Sequence, residues 1–311
     1  MPAVLYRSTD VDAPLINQIG GGPIDPLGKL REALIAILIT GYGTRTPVGG
    51  WTVAFDDPAN NTIVFRQKDG EVFFRLNDNL FTSTASIRGY TSMTDVNTGE
   101  GAFPTFYDSP EPGCAMPKRY NNAASPTSDY WDCIVDSDGQ YIWWFPNRSN
   151  TLIDNAAWFF GKLDTLYDNP NQIPIWVNCV TSASPIFAFA VGDFIFRPGS
   201  SISEGFGVSN SRSGLGPTRA GIPVQWFPRL FEATGQIGNA KYLIKWLVRE
   251  IATNTVLGAI PKLLVTIQEP VANIGINPSE NRTIVTMNGQ DYYLLFFAGS
   301  YCFFACDITT G

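Results

Sequence analysis

The sequence predicts a mainly β fold (α+β): antiparallel, sandwich-like sheets with one N-terminal amphipathic helix and long loops. Three observations predict it. Short runs rich in β-branched and aromatic residues recur at Trp51 to Phe55, Thr62 to Gln67, Glu71 to Asn77, Thr84 to Tyr90 and Tyr141 to Phe145. Turn residues separate them, at Pro58-Ala59-Asn60-Asn61, Asp69-Gly70 and Asp136 to Gly139, and Asp-Gly between such runs is a strong two-residue hairpin signal. Helical periodicity is clear in one stretch, where Leu27, Leu30, Leu34, Ile37 and Leu38 recur between the start signal Asp25-Pro26 and the stop Gly41.

Ahead of the helix, residues 1–26 mix Asp, Pro and a run of three glycines, Gly20 to Gly22. That composition predicts an extended, partly flexible N-terminal arm. Residues 27–311 then form a β-rich body with room for two subdomains, 27–145 and 146–311. Phe106 to Tyr130, rich in Pro, Asn, Ser and Asp, is expected to run over the surface.

Phe187 to Phe196 resumes strand texture, and Pro198 to Pro223 is dominated by Gly and Ser. A long structureless segment inside a compact domain is uncommon and usually functional or disordered, so 198–223 is expected to be a loop that orders against a partner. Tyr242 to Ala252 fits a strand or a short helix by periodicity and is read as a strand because Val248, Ile251 and Thr253 to Val256 follow; Leu263 to Gln268, Thr283 to Met287 and a hairpin over Tyr292 to Asp307 complete a sheet-rich C-terminal half. No fixed-period repeat stands out.

A chain of 311 residues is long enough to bury about 75% of its unfolded surface. Hydrophobic residues make up 44%, aromatics 13% and charged residues only 16%, and depletion of charge favours interfaces over free solvent. The net charge of −7 and pI near 4.7 argue against a phosphate-binding groove. The N-terminus MPAVLYRSTD lacks a charged region leading into an apolar core, and is expected to be mature chain without an export signal. Tyr292 to Ala305, the strongest apolar run, is too short for a spanning helix and is broken by Gly299 and Ser300. No membrane and no nucleic acid are expected as partners.

The chain contains no histidine, which removes the commonest general base and the commonest metal ligand together. Ser or Cys nucleophiles lose their usual base, no Ser is followed three residues later by Lys, and no phosphate-binding glycine motif is complete. Paired carboxylates remain, since glycoside hydrolysis needs only two. Asp78, Asp95, Glu100, Asp108 and Glu111 are candidates beside aromatic positions, although Asp and Glu between strands more often form solvated turns. Asp95-Val96-Asn97-Thr98-Gly99 opens like a calcium loop, but Glu100 stands at the glycine position and Phe106 at that of the bidentate Glu.

Cys114, Cys133, Cys179, Cys302 and Cys306 are an odd, scattered set, which fits synthesis in a reducing cytosol. Cys302 and Cys306 would share one face of a strand and are read as small buried hydrophobes. Asn60, Asn147 and Asn281 begin glycosylation-type tripeptides of little weight without export. Catalytic residues, cofactors and metals are accordingly all read as none.

Most aromatics must be core. Adjacent pairs such as Trp143-Trp144 and Trp226-Phe227 place one ring on each face of a strand, so one member of each should meet a second layer or another subunit. Tyr6 and Arg7 in the arm, Trp144, Phe206, Val208, Leu215 and Trp226 are the interface candidates.

Dispersed motifs complete the reading: YRSTD-x-x-AP over Tyr6 to Pro14, GYG over Gly41 to Gly43, GWT-x-x-F over Gly50 to Phe55, RGY over Arg88 to Tyr90, MTDVNTG-x-G-x-FPT over Met93 to Thr105, and GDF over Gly192 to Phe194. In these the chain resembles a family of virion proteins of tailed bacteriophages and prophages. The central stretch Ile87 to Thr105 is the specific part. One departure is Ile260-Pro261-Lys262-Leu263, where that family carries a Leu-Pro-Gly-Leu turn.

The resemblance implies a structural component of a phage particle, in head decoration, head-tail connection or the tail and baseplate. It would be made in the host cytoplasm and act in the virion, with copies of itself and other virion proteins as partners. It carries over no catalytic residues. The alternative is a tail-associated carbohydrate- or receptor-binding module with exposed aromatics.

Overall fold

The computed structural model describes residues 3–16, 27–68, 72–79, 84–102, 114–117, 130–147, 156–162, 164–165, 174–179, 206–210, 218–220, 233–235, 243–250, 255–266, 282–287, 289–297 and 302–309. The first part of the chain contributes β1 (Ala3–Arg7), α1 (Lys29–Ile35), β2 (Trp51–Asp57), β3 (Thr62–Gln67), β4 (Phe73–Asn77), β5 (Thr84–Tyr90), β6 (Ser92–Met93), β7 (Gly99–Glu100) and β8 (Cys114–Pro117). The middle contributes β9 (Tyr130–Asp136), β10 (Tyr141–Asn147), β11 (Ala156–Gly161), β12 (Asp164–Thr165), β13 (Pro174–Cys179), β14 (Phe206–Asn210), β15 (Thr218–Ala220) and β16 (Ala233–Gly235). The last part contributes β17 (Leu243–Glu250), β18 (Thr255–Thr266), β19 (Thr283–Met287), β20 (Gln290–Phe297) and β21 (Cys302–Thr309).

The fold is mainly β, as expected, and among the described residues nearly all strand pairs are antiparallel. A 5-stranded sheet in the order β2-β3-β4-β5-β8 faces a 14-stranded sheet whose centre runs β11-β10-β9-β1-β21. Alternation along each strand divides the residues between two faces. Ile63, Phe65, Phe74, Leu76, Ala85 and Ile87 of the smaller sheet meet Trp131, Cys133, Val135, Ile142, Trp144, Trp158 and Phe160 of the larger one in a single buried core. Phe74 is the keystone, with ring centroids 4.6 Å from Phe160 and 6.0 Å from Trp158. Fully burying such a side chain is worth roughly 1.5–3 kcal/mol.

Helix α1 fills the same core with Leu30, Ala33 and Leu34, and a wider π-type stretch, Ala36–Thr40, adds Ile37 and Leu38 before ending at Gly41. Leu30, Leu34, Ile37 and Leu38 therefore face inward, while Leu27, ahead of the helix, is half-buried. The start differs, because the N-cap is Gly28 at φ 76, with no side chain of its own to offer.

Several expectations are corrected. The arm is a strand for its first part: β1 lies between β9 and β21, antiparallel to the first (Tyr6↔Cys133) and parallel to the second (Ala3↔Ile308). Its alternating apolar residues fit a central sheet position that a turn-based reading of Asp, Pro and Gly overlooks. The division at 145/146 falls inside β10, which pairs with β9 on one side and β11 on the other. The segment 198–223 contains β14 and β15, paired as Phe206↔Ala220 and Val208↔Thr218. Cys114–Pro117, expected as surface loop, extends the smaller sheet beside β5.

In the C-terminal half, β20 and β21 form the expected hairpin. At Ile260-Pro261-Lys262-Leu263 the pairing of β17 with β18 jumps from Lys245↔Leu264 to Leu247↔Ala259. The extra residues sit on β18, and Pro261 thus falls at an irregularity, where a missing N–H costs least.

Candidate functional site

The motif residues are brought together at joints between distant parts of the chain. The first joint is built by YRSTD-x-x-AP and the turn after GYG. Asp10 accepts hydrogen bonds at Oδ2 from Tyr42 Oη (3.0 Å), Arg45 Nε (3.0 Å) and the backbone N–H of Arg7 (3.0 Å). Tyr6 Oη donates to the Thr46 carbonyl at 2.8 Å. Trp131 Nε1 donates to the Pro14 carbonyl at 2.9 Å, and Ser8 and Trp131 exchange two further bonds.

Burial pushes the Tyr6 phenol up to about 12, with Cys133 and Asp10 adding to it and Arg45 opposing. Burial, then the Asp10 carboxylate, raises Tyr42 still further. Both phenols are thereby held neutral as donors.

The second joint is Gly50 against the turn Asp136 to Gly139. Gly50 has φ +94, and a Cβ there would stand 2.7 Å from the Asp138 carbonyl oxygen; one on Gly139 would stand 2.8 Å from that of Gly50. Gln67 Nε2 ties the sheets together at the same place, donating to the carbonyls of Gly139 (2.9 Å) and Gln140 (2.8 Å).

The third joint is the central signature. Ser92–Met93 and Gly99–Glu100 form a small ribbon whose Met93, Val96 and Ala102 cover Val64, Phe73 and Tyr90 on the outer face of the smaller sheet. Asp95 Oδ1 accepts from the backbone N–H groups of Asn97 (2.7 Å) and Thr98 (2.8 Å), and these bonds, that of Asn97 first, hold its carboxyl below the usual carboxylate range. Arg75 on β4 donates to the Val96 carbonyl (2.9 Å) and to Asn97 Oδ1 (2.8 Å). Asp95 and Asn97 are thus turn formers. Phe103, Pro104 and the GDF motif lie outside the described residues.

The other carboxylate candidates divide similarly. Asp78 is buried and accepts at Oδ2 from the backbone N–H groups of Leu30 (2.8 Å) and Arg31 (3.2 Å), capping α1. Glu100 is exposed in β7. Asp108 and Glu111 lie outside the described residues. Cys133 is a free, buried thiol raised by burial and then by Asp132. Asn60 donates to Asp57 within its turn. Among the described residues no three His, Cys, Asp or Glu side chains gather to hold a metal, and no helix is long and apolar enough to cross a membrane.

Of the interface candidates, Tyr6 and Trp144 are corrected: both are buried inside this chain, Trp144 stacked between Trp131 (5.0 Å) and Trp158 (6.2 Å). Its neighbour Trp143 is buried on the opposite face with Phe145 and Phe159. Arg7 is partly exposed and engages the chain's own C-terminal half. Phe206 and Val208 lie in β14, whose side chains fall outside the description, as do Leu215 and Trp226 altogether.

One cluster takes only Arg7 from the motifs and is otherwise built outside them. Arg282 donates from Nε and from a terminal nitrogen to the two carboxylate oxygens of Asp132, both at 2.7 Å, with side-chain exposures of 2% and 0%. Its Nε also reaches Tyr293 Oη at 3.3 Å, and Arg7 donates to the Arg282 carbonyl at 3.0 Å. The Arg7 guanidinium lies 5.3 Å from the Tyr293 ring centre, and that of Arg282 5.4 Å from the Tyr130 ring. Burial works to lower the Arg282 pKa, and the adjacent Asp132 carboxylate more than offsets it. A signal for this cluster existed: Asp132 interrupts the apolar run YWDCIV, and a buried charge demands a partner.

Comparison with protein-family models, curated proteins and solved structures finds no match to this chain.

Proposed function

We propose that the chain is a structural subunit of a tailed-phage particle, acting through assembly with copies of itself and with other virion proteins. The observation that supports this reading is what the motif residues do. Asp10 and Tyr42 with Arg45 beside them, Gly50, and Asn97 through Arg75 fasten one segment of the chain to another, while Asp95 shapes the turn that presents Asn97. Residues that carry the resemblance to virion proteins are therefore scaffold residues in this chain. The low charge and high aromatic content suit extensive contact with neighbours.

The glycan-binding alternative draws no support from the tryptophans whose side chains are described, because Trp51, Trp131, Trp143, Trp144 and Trp158 are all buried. The test is to label the protein in purified particles, image it, and measure the mass of the isolated protein in solution by light scattering. Signal at one fixed place on the particle, together with self-association of the isolated chain, is the expected outcome. A chain that stays monomeric and is absent from particles would overturn the reading.

A further inference from the structure

Strand β19 stands four hydrogen-bonded steps from β9, through β20, β21 and β1. At about 4.8 Å per step, a flat sheet would hold the two strands about 19 Å apart. Yet Arg282, the residue before β19, grips Asp132 on β9 at 2.7 Å with both arms of its guanidinium. The C-terminal edge of the sheet therefore curls back over the face of β1 and β9. Among the described residues Arg282 is one of three non-glycine residues at positive φ, +61, a conformation that persists only where the surroundings impose it. Around it, Tyr293 of β20 lies beneath Arg7, and Arg7 holds the Arg282 carbonyl.

We propose that β19 and β20 form a strap folded across the sheet, with Arg282 and Asp132 as its clasp and Arg7 as the link to the N-terminal strand. Strap and β1 open and close as one unit, separately from the smaller sheet and α1. A fully buried ion pair adds little net stability over an apolar pair of the same shape, while loss of one partner is costly. Such a pair suits a clasp that admits a single register of β19 and β20, which side-chain alternation alone would let slip by two residues. The inference stands on this geometry and is independent of the assembly reading.

Hydrogen exchange on the intact chain tests it. In Arg282→Ala, amides of residues 3–7 and 283–294 are expected to exchange about a hundredfold faster together, while those of 63–67, 73–77 and 85–90 keep their rates. Tyr293→Phe keeps the ring beneath Arg7 and removes only the hydroxyl that accepts from Arg282. It is expected to give the same pattern at about fivefold, and it decides the matter if Arg282→Ala fails to fold. Acceleration confined to 282–287, or spread equally over the smaller sheet, would overturn the proposal.

Discussion

Asp78 caps a helix from 48 residues beyond Leu30: its Oδ2 accepts hydrogen bonds from the backbone N–H of Leu30 at 2.8 Å and of Arg31 at 3.2 Å, while its carbonyl accepts from Gly28. The first N–H groups of a helix have no partner within it, and Gly28 has no side chain to supply one. Asp78→Ala is expected to lower stability by about 2 kcal/mol, the upper end for a lost cap, because the orphaned groups are buried. Asp78→Asn keeps an acceptor oxygen and should lose about half as much. Urea denaturation followed by tryptophan fluorescence reads both, and equal loss in the two variants would show that charge, not capping, is what Asp78 provides.

The helix itself was legible because local periodicity decides it, and the strands from β2 to β5 because turn residues bracket alternating runs. The cap was not, since Asp25 is the nearer signal and nothing local links Asp78 to Leu30. Nor was the place of β1: five residues, AVLYR, pair with β9 more than a hundred positions away, and pairing at that range leaves no periodic trace in sequence. Asp95 and Asn97 were readable as turn formers because an Asx turn is made within three residues. Arg75, which holds that turn from another strand, was not.

Tyr6 offers a prediction at high pH. Its folded pKa, about 12, lies above the ordinary 10.0, so its contribution to stability is complete below pH 10 and is lost as pH rises through 12. Tyr6→Phe should cost about 1 kcal/mol at neutral pH, from the bond to the Thr46 carbonyl, and should soften the alkaline decline between those values. Thermal melts at pH 8, 10 and 11.5 compare the two proteins. A decline identical in both would assign the alkaline step to other groups.

Gly50 and Gly139 touch backbone to backbone where the smaller sheet meets the turn of β9 and β10. Because a Cβ on Gly50 meets a carbonyl oxygen at 2.7 Å and its φ is +94, Gly50→Ala combines a clash with an unfavourable backbone conformation. A loss of about 2 kcal/mol or more is expected. Gly289, at φ +78 with open space around it, is the control: Gly289→Ala carries the conformational cost alone and should lose about 1 kcal/mol. Denaturation midpoints for the two variants separate clash from conformation, and equal losses would mean that the joint yields to the added methyl.

Arg75 and Asp95 both secure the signature ribbon, one from β4 through its guanidinium and one from within the turn through its carboxylate. Arg75→Met retains an apolar stem against the sheet but leaves the Val96 carbonyl and Asn97 Oδ1 without that donor, and should cost about 1–3 kcal/mol. The Asp95 contribution follows pH in the opposite sense to Tyr6. Its folded pKa is depressed below 3.8 by the N–H groups of Asn97 and Thr98, so the turn is secured above that value and loosens as pH falls through the folded pKa. Protection of the Asn97 and Thr98 amides, taken relative to the intrinsic exchange rate at each pH, should therefore fall only in acid in the native chain, and should already be low at neutral pH in Asp95→Ala. In Arg75→Met the acid step at these two amides should persist, because the Asx turn is made within the loop. Its disappearance there would mean that the loop holds its shape only while Arg75 grips it.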